Sequence, residues 1–145
     1  MIGIQAIGSS ACPCAMETTR SLLNYPSKDL LSITHNQRNI ATIMIEVSEG
    51  YNIEADDLID ILNKSFSAPT FEYLKRDDEG KLVIEMHQKA RFVEDIVREI
   101  LNNIVEKYKD LPDDTLVIVK SESLESIHKH NAYAERIATL GELKS

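Results

Sequence analysis

The residues of this chain best suited to chemistry are few and grouped. Both cysteines sit in Cys12-Pro13-Cys14, and three of the four histidines lie in His35-Asn36-Gln37-Arg38 and His128-Lys129-His130-Asn131. Thiolate and imidazole hold a borderline or soft divalent metal, and a catalytic site takes about three such ligands and leaves one position open. The grouping points to a metal-dependent enzyme. Cys12 and Cys14 are too close for an ordinary disulfide and remain thiols in a reducing compartment. His128 and His130 alternate, so on an extended segment both fall on one face and share a site. Asn36, Gln37 and Arg38 are candidates to orient His35. His87 stands outside any cluster and takes no role. Paired Cys-x-x-Cys spacing is absent, which weighs against a structural zinc protein.

These residues need a frame. Ile2 to Ile7 alternates and reads as a strand running through Gly8-Ser9-Ser10 into the cysteine unit. Ala15 to Leu31 is mixed, with Pro26 interrupting it, and reads as a helical turn and a loop. Asn39 to Val47 is a strand with Ala41, Ile43, Ile45 and Val47 on one face. Glu49-Gly50-Tyr51-Asn52 turns the chain. A helix follows from Glu54 to Phe66, its acids at the positive end and its apolar residues at helical spacing. Ser67-Ala68-Pro69 stops it. Two extended pieces, Phe71 to Arg76 and Leu82 to Met86, flank Asp77-Asp78-Glu79-Gly80, which reads as a hairpin turn. Ala90 to Lys109 carries one broad apolar stripe and reads as the second helix. Thr115 to Leu124 and Tyr133 to Leu140 are the last strands. The expected architecture is α+β: an antiparallel sheet with two helices on one face, in the order strand, strand, helix, helix, strand, strand.

Bulk properties narrow the function. A chain of 145 residues suits a single domain, residues 1–145, with a core of its own. A formal charge of −8 provides no phosphate-neutralising face, which excludes a general nucleic-acid binder. No apolar run approaches the roughly 18 residues that cross a bilayer. No basic start followed by a long apolar stretch marks a signal peptide. The expectation is a cytoplasmic protein with neither nucleic-acid nor membrane partners.

Five motifs, in order, then carry a resemblance: Cys12-Pro13-Cys14, His35-Asn36-Gln37-Arg38, Leu74-Lys75-Arg76-Asp77-Asp78-Glu79, Arg91-Phe92-Val93-Glu94-Asp95, and Ser126-Ile127-His128-Lys129-His130-Asn131-Ala132-Tyr133. Together they resemble the alternative GTP cyclohydrolases, type IB of bacterial folate synthesis and type IV of archaeal methanopterin synthesis. The resemblance extends from about residue 2 to 134. It implies the ββααββ tunnelling fold, in agreement with the element order above.

The resemblance also implies roles. Cys12, His35 and Glu79 are similar to the metal ligands, Glu94 to the acid that anchors guanine, and Cys14, His128 and His130 to the proton-transfer groups around C8. Lys75 and Arg76 would neutralise the triphosphate. A carboxylate suits Glu94's role because it accepts two parallel hydrogen bonds from N1–H and the 2-amino group. Ring opening needs water at C8 and departure of formate, and a metal makes water reactive near neutral pH. Imidazoles with a pKa near working pH then move protons.

The long span between Cys12 and His35 is more like the archaeal type. That favours a 7,8-dihydroneopterin 2′,3′-cyclic phosphate product and one iron(II) per site, with zinc(II) or manganese(II) as alternatives. Family members are about twice this length, with two modules, and this sequence resembles the C-terminal one. The implied partners are GTP, further copies of the chain in a homo-oligomer with intersubunit sites, and a separate N-terminal-module chain. Two other readings stay open: a non-catalytic partner module, and a different tunnelling-fold pterin or purine enzyme.

Overall fold

Alternation of apolar and polar residues builds the sheet. In the computed structural model, which describes residues 1–27 and 30–145, four long strands form: β1 (Ile2–Ala11), β2 (Asn36–Ile45), and two later ones. In chain order the elements are β1, α1 (Pro13–Leu22), β2, α2 (Ala55–Ser65), β3 (Ala68–Pro69), α3 (Arg76–Gln88), α4 (Val93–Lys107), β4 (Leu116–Leu124), β5 (Ala132–Thr139) and α5 (Leu140–Lys144). The five strands make one sheet in the order β3-β1-β2-β4-β5, with every neighbouring pair antiparallel.

One face of the sheet is covered by α2 and α4, which also pack on each other. Ala41, Ile43 and Ile45 of β2 and Val117 and Val119 of β4 are fully buried there. They meet Leu58 and Leu62 of α2 and Ile96, Ile100 and Ile104 of α4, all inaccessible to solvent. Each such side chain contributes roughly 1.5–3 kcal/mol through removal from water. Phe66, just past α2, lies so close over β1 that a Cβ on Gly8 would sit 2.1 Å from its ring. Only glycine permits that approach, which seats the end of α2 on the strand.

Along the same face the residues change character. On β1 the series Ile2, Ile4, Ala6 and Gly8 continues as Ser10 and Cys12. On β2, read backwards, Ile45, Ile43 and Ala41 continue as Asn39, Gln37 and His35. On β4, Val117 and Val119 continue as Ser121, Ser123 and Glu125. The register aligns these series: Ser10 faces Gln37, and Asn39 faces Ser123. Because side chains alternate strictly, one face of one sheet is core at one end and polar at the other.

The α+β architecture, the antiparallel sheet and the helices on one face match the expected class. The order contains more than ββααββ, since α1, α3 and α5 add three helices and β3 a short edge strand. Two local expectations are corrected. The mixed stretch after the cysteines contains a full helix, with Pro13 in the first turn and Cys12 as N-cap. Of the loop expected up to Leu31, residues 28 and 29 lie outside the described residues. The hairpin expected at residues 71–86 does not form: residues 71–75 are irregular, and from Arg76 the chain is the helix α3 (Arg76–Gln88). Asp77, Asp78 and Glu79 occupy its first turn, where the helix dipole favours acids. Leu82 and Met86, four residues apart, turn inward to pack with Ala11, Ala68 and Ala90. Among the described residues no helix is long and apolar enough to cross a membrane.

Candidate functional site

The polar end of the sheet opens into a cavity of about 480 Å³, within the usual size of small-molecule sites. Four segments converge on it: the end of β1 with the start of α1, the start of β2, the start of α4, and the β4–β5 connection. Cys12, Cys14, His35, Glu94, His128 and His130 all line it, so six of the nine site residues expected from the sequence come together in one chain. Lys75, Arg76 and Glu79 do not line it; they lie at the start of α3 and are exposed.

Each segment is held by specific bonds. Cys12 N–H donates to the His35 carbonyl at 3.1 Å, tying the cysteine unit to the first histidine cluster. Thr34 Oγ1 donates to the Cys12 carbonyl at 2.6 Å. The Cys12 sulfur accepts from Ala15 N–H at 3.5 Å and caps α1. At the start of α4, Arg91 N–H donates to the Ala11 carbonyl at 3.0 Å, anchoring that loop beside Cys12. The Arg91 guanidinium donates to the Ser65 carbonyl at 2.7 Å and pairs with Glu99 at 3.3 Å. Arg91 therefore joins the C-terminal end of α2 to the N-terminal end of α4, a favourable site for a cation. Lys89 adds a bond to the Lys64 carbonyl at 2.5 Å; burial, then the nearby Arg91 charge, lowers its pKa. Phe92 N–H donates to Asp95 Oδ2 at 2.9 Å, so the third residue of α4 closes its first turn and Glu94 projects beside it.

The metal-philic groups form a compact set. Among the described residues, His35, Glu125 and His128 bring one ligand atom each within 4.8 Å of one another. The His35 and His128 rings meet edge-on with centroids 6.0 Å apart, and His128 stacks on His130 at 5.3 Å. His35 Nδ1 lies 2.8 Å from Gln37 Oε1, and Gln37 Nε2 donates to Ser10 Oγ at 3.2 Å. A proton on Nδ1 is thereby held by the glutamine, which leaves Nε2 with the lone pair a metal takes. Two imidazoles and a carboxylate, with a thiol on the same rim, suit zinc(II), iron(II) or manganese(II). The donor set fits a divalent metal.

Glu125 is the member that sequence reasoning missed. It lies just past β4, half-buried, with its carboxylate 3.9 Å from His35 Nδ1. The alternation Ser121, Ser123, Glu125 could have pointed to it. Gln37, a candidate support for His35, bonds to it directly.

The antiparallel sheet with helices packed on one face is the architecture of a tunnelling fold, and its polar end carries a histidine- and carboxylate-lined cavity. The chain belongs to the type I GTP cyclohydrolase FolE2 family, whose sequence profile matches residues 1–134. It is 42% identical over 158 residues to the GTP cyclohydrolase MptA of Methanocaldococcus jannaschii, covering 99% of this chain and 50% of that protein. It is 43% identical over 157 residues to that of Methanothermobacter thermautotrophicus, covering 99% of this chain and 49% of the relative. The MptA of Methanococcus aeolicus is 42% identical over 159 residues, with coverage of 100% and 52%. The chain thus spans about half the length of the curated relatives it matches.

Proposed function

We propose that this chain is a metal-dependent GTP cyclohydrolase module that opens the guanine imidazole ring at C8 and releases formate. The product is a 7,8-dihydroneopterin phosphate, the 2′,3′-cyclic phosphate favoured, for methanopterin-type pterin synthesis. The observation that carries this reading is the convergence of His35, Glu125 and His128 with Glu94 in one cavity. Family membership supports it independently.

His35, Glu125 and His128 would hold the divalent ion, with Cys12 on the same rim. When bound, the ion supplies Lewis acidity that makes water a competent nucleophile near neutral pH. Glu94 accepts from the guanine N1–H and 2-amino group and fixes the base. His130, stacked on His128, and Cys14 are exposed and line the cavity, and they would move protons to the ring nitrogen as its bond to C8 breaks.

Lys75, Arg76 and Glu79 cluster on an exposed helix start. In the proposed homo-oligomer they belong to the wall of a neighbouring copy's site, with the two cations on the triphosphate and Glu79 joining the metal ligands. Exposed Ile7, Tyr133 and Ile137, on strands at the uncovered side of the sheet, support such an assembly. The exposure of Lys75, Arg76 and Glu79 outside the cavity favours a second reading, a module that turns over GTP only together with a separate partner chain.

Incubation of the chain with GTP and Fe(II), Mn(II) or Zn(II) tests the proposal. Formate and, after oxidation, a fluorescent pterin are expected. No formate with any metal, alone or with a co-expressed N-terminal module, would overturn it. Glu125→Gln and His35→Ala should each lower metal content measured by mass spectrometry; unchanged content removes that residue from the ligand set.

A further inference from the structure

Ser123, on β4 at the floor of the cavity, is 1% exposed, and its hydroxyl has no hydrogen-bond partner. Every other hydroxyl lining the cavity has one within the chain. Ser10 accepts from Gln37, Thr18 donates to the Cys14 carbonyl, and Thr19 donates to the Met16 carbonyl. A buried hydroxyl left unpaired is costly, and native proteins keep few of them.

Directly opposite Ser123 in the β2–β4 register is Asn39, which is fully buried. Its Oδ1 accepts from Ser121 Oγ at 2.8 Å, which assigns the other end of the amide as Nδ2, and Nδ2 has no partner. Both side chains occupy the helix-facing side of the sheet, on neighbouring strands. The Asn39 amide nitrogen can only donate, whereas the Ser123 oxygen can accept and donate at once. Neither Asn39 Nδ2 nor the Ser123 hydroxyl is bonded to the other or to any group of the described residues. The hydroxyl proton is left for the cavity.

The geometry points to Ser123, opposite Asn39 on the neighbouring strand, as a further substrate-binding residue that donates a hydrogen bond to a carbonyl oxygen of the bound heterocycle. This inference rests on the reading that a guanine nucleotide occupies the cavity. Glu94 can only accept, so it satisfies N1–H and the 2-amino group but leaves O6, the neighbouring acceptor, unread. Ser123 supplies the missing donor and selects a 6-oxo purine. Phe92, Val93, Ile127 and Ala132 offer apolar wall around it.

The test is equilibrium binding of GTP and 6-thio-GTP, which differ only at the acceptor, to the full chain and to Ser123→Ala. The wild type should prefer GTP by about tenfold, the value of one good hydrogen bond in a dry site. Ser123→Ala should bring the two nucleotides to near equality by weakening GTP alone. Its melting temperature without nucleotide should not fall, because no intramolecular bond is lost. An unchanged preference in the variant, or no preference in the wild type, overturns the inference while leaving the guanine-nucleotide reading intact. A drop of several degrees in melting temperature assigns the hydroxyl to structure and also overturns it. No binding of either nucleotide by the wild type overturns the guanine-nucleotide reading and this inference with it.

Discussion

Replacing Arg91 by methionine should destabilise the protein by about 2–3 kcal/mol, most of it through one hydrogen bond. The guanidinium donates to the Ser65 carbonyl at 2.7 Å and to the Lys64 carbonyl at 3.4 Å, with the side chain only 18% exposed. A charged donor on a carbonyl contributes about 1.5–3 kcal/mol, and the 3.4 Å contact adds little. The cation at the C-terminal end of α2 adds about 0.3–1 kcal/mol. The partner Glu99 is 39% exposed, so that ion pair adds at most about 1 kcal/mol. Lys89 retains its own bond to Lys64 and limits the loss. Urea unfolding followed by far-ultraviolet circular dichroism measures the change. At this chain length the loss corresponds to a fall of roughly 6–10 °C in Tm. Because Arg91 also holds the loop that leads into Glu94, the affinity for GTP should fall in parallel. A stability loss below about 0.5 kcal/mol would refute the clamp. So would equal stability for Arg91→Lys and wild type, since lysine cannot reproduce the fork.

Three further outcomes follow from the fold. Gly80→Ala should raise stability by about 0.5–1 kcal/mol, because Gly80 lies inside α3 with open space where its Cβ would go; no gain on urea unfolding would contradict the helix. Gly8→Ala should cost about 2–3 kcal/mol by driving a methyl into the Phe66 ring, and a Phe66→Leu background should recover part of it; strict additivity would show that the two residues do not touch. Burial, then the charges of Asp57 and Glu54, pushes the Tyr108 pKa up to about 12. The unfolded chain therefore releases this proton first, and stability present below about pH 10 is lost as pH rises toward 12. Tyr108→Phe should flatten the pH dependence of Tm in that window.

The strands and the two packed helices were legible because their periodicity is carried by core residues. Ala41, Ile43 and Ile45 alternate, and Ile96, Ile100 and Ile104 recur every fourth residue. The segment from Phe71 to Met86 misled for physical reasons. Asp77-Asp78-Glu79-Gly80 has the composition of a turn, and Val83-Ile84 that of a strand, yet the three acids are a helix N-terminus. Its inward spacing, Leu82 and Met86, is only two residues deep, too short to outweigh β-branched neighbours. The site was legible as residue types and incomplete as a set. Cys12, Cys14, His35, Glu94, His128 and His130 line one cavity, whereas Lys75, Arg76 and Glu79 lie outside it. Glu125 was hidden because a lone acid beside a serine in a connection looks solvated. It becomes visible only when β4's alternation is followed past its last hydrogen-bonded residue.

The gradient along the helix-facing side of the sheet makes folding and chemistry separable by parity. Inserting one residue into β2 between Gln37 and Asn39 would leave Ala41, Ile43 and Ile45 in register with Ser121, Val119 and Val117. It would turn His35 and Gln37 to the opposite side of the strand. The product would be a folded protein that has lost one wall of its cavity. A two-residue insertion would return the histidine to the correct side but displace it along the strand by roughly 6–7 Å, a full pleat repeat. The distance between a scaffold and an active module is here a single count of odd or even.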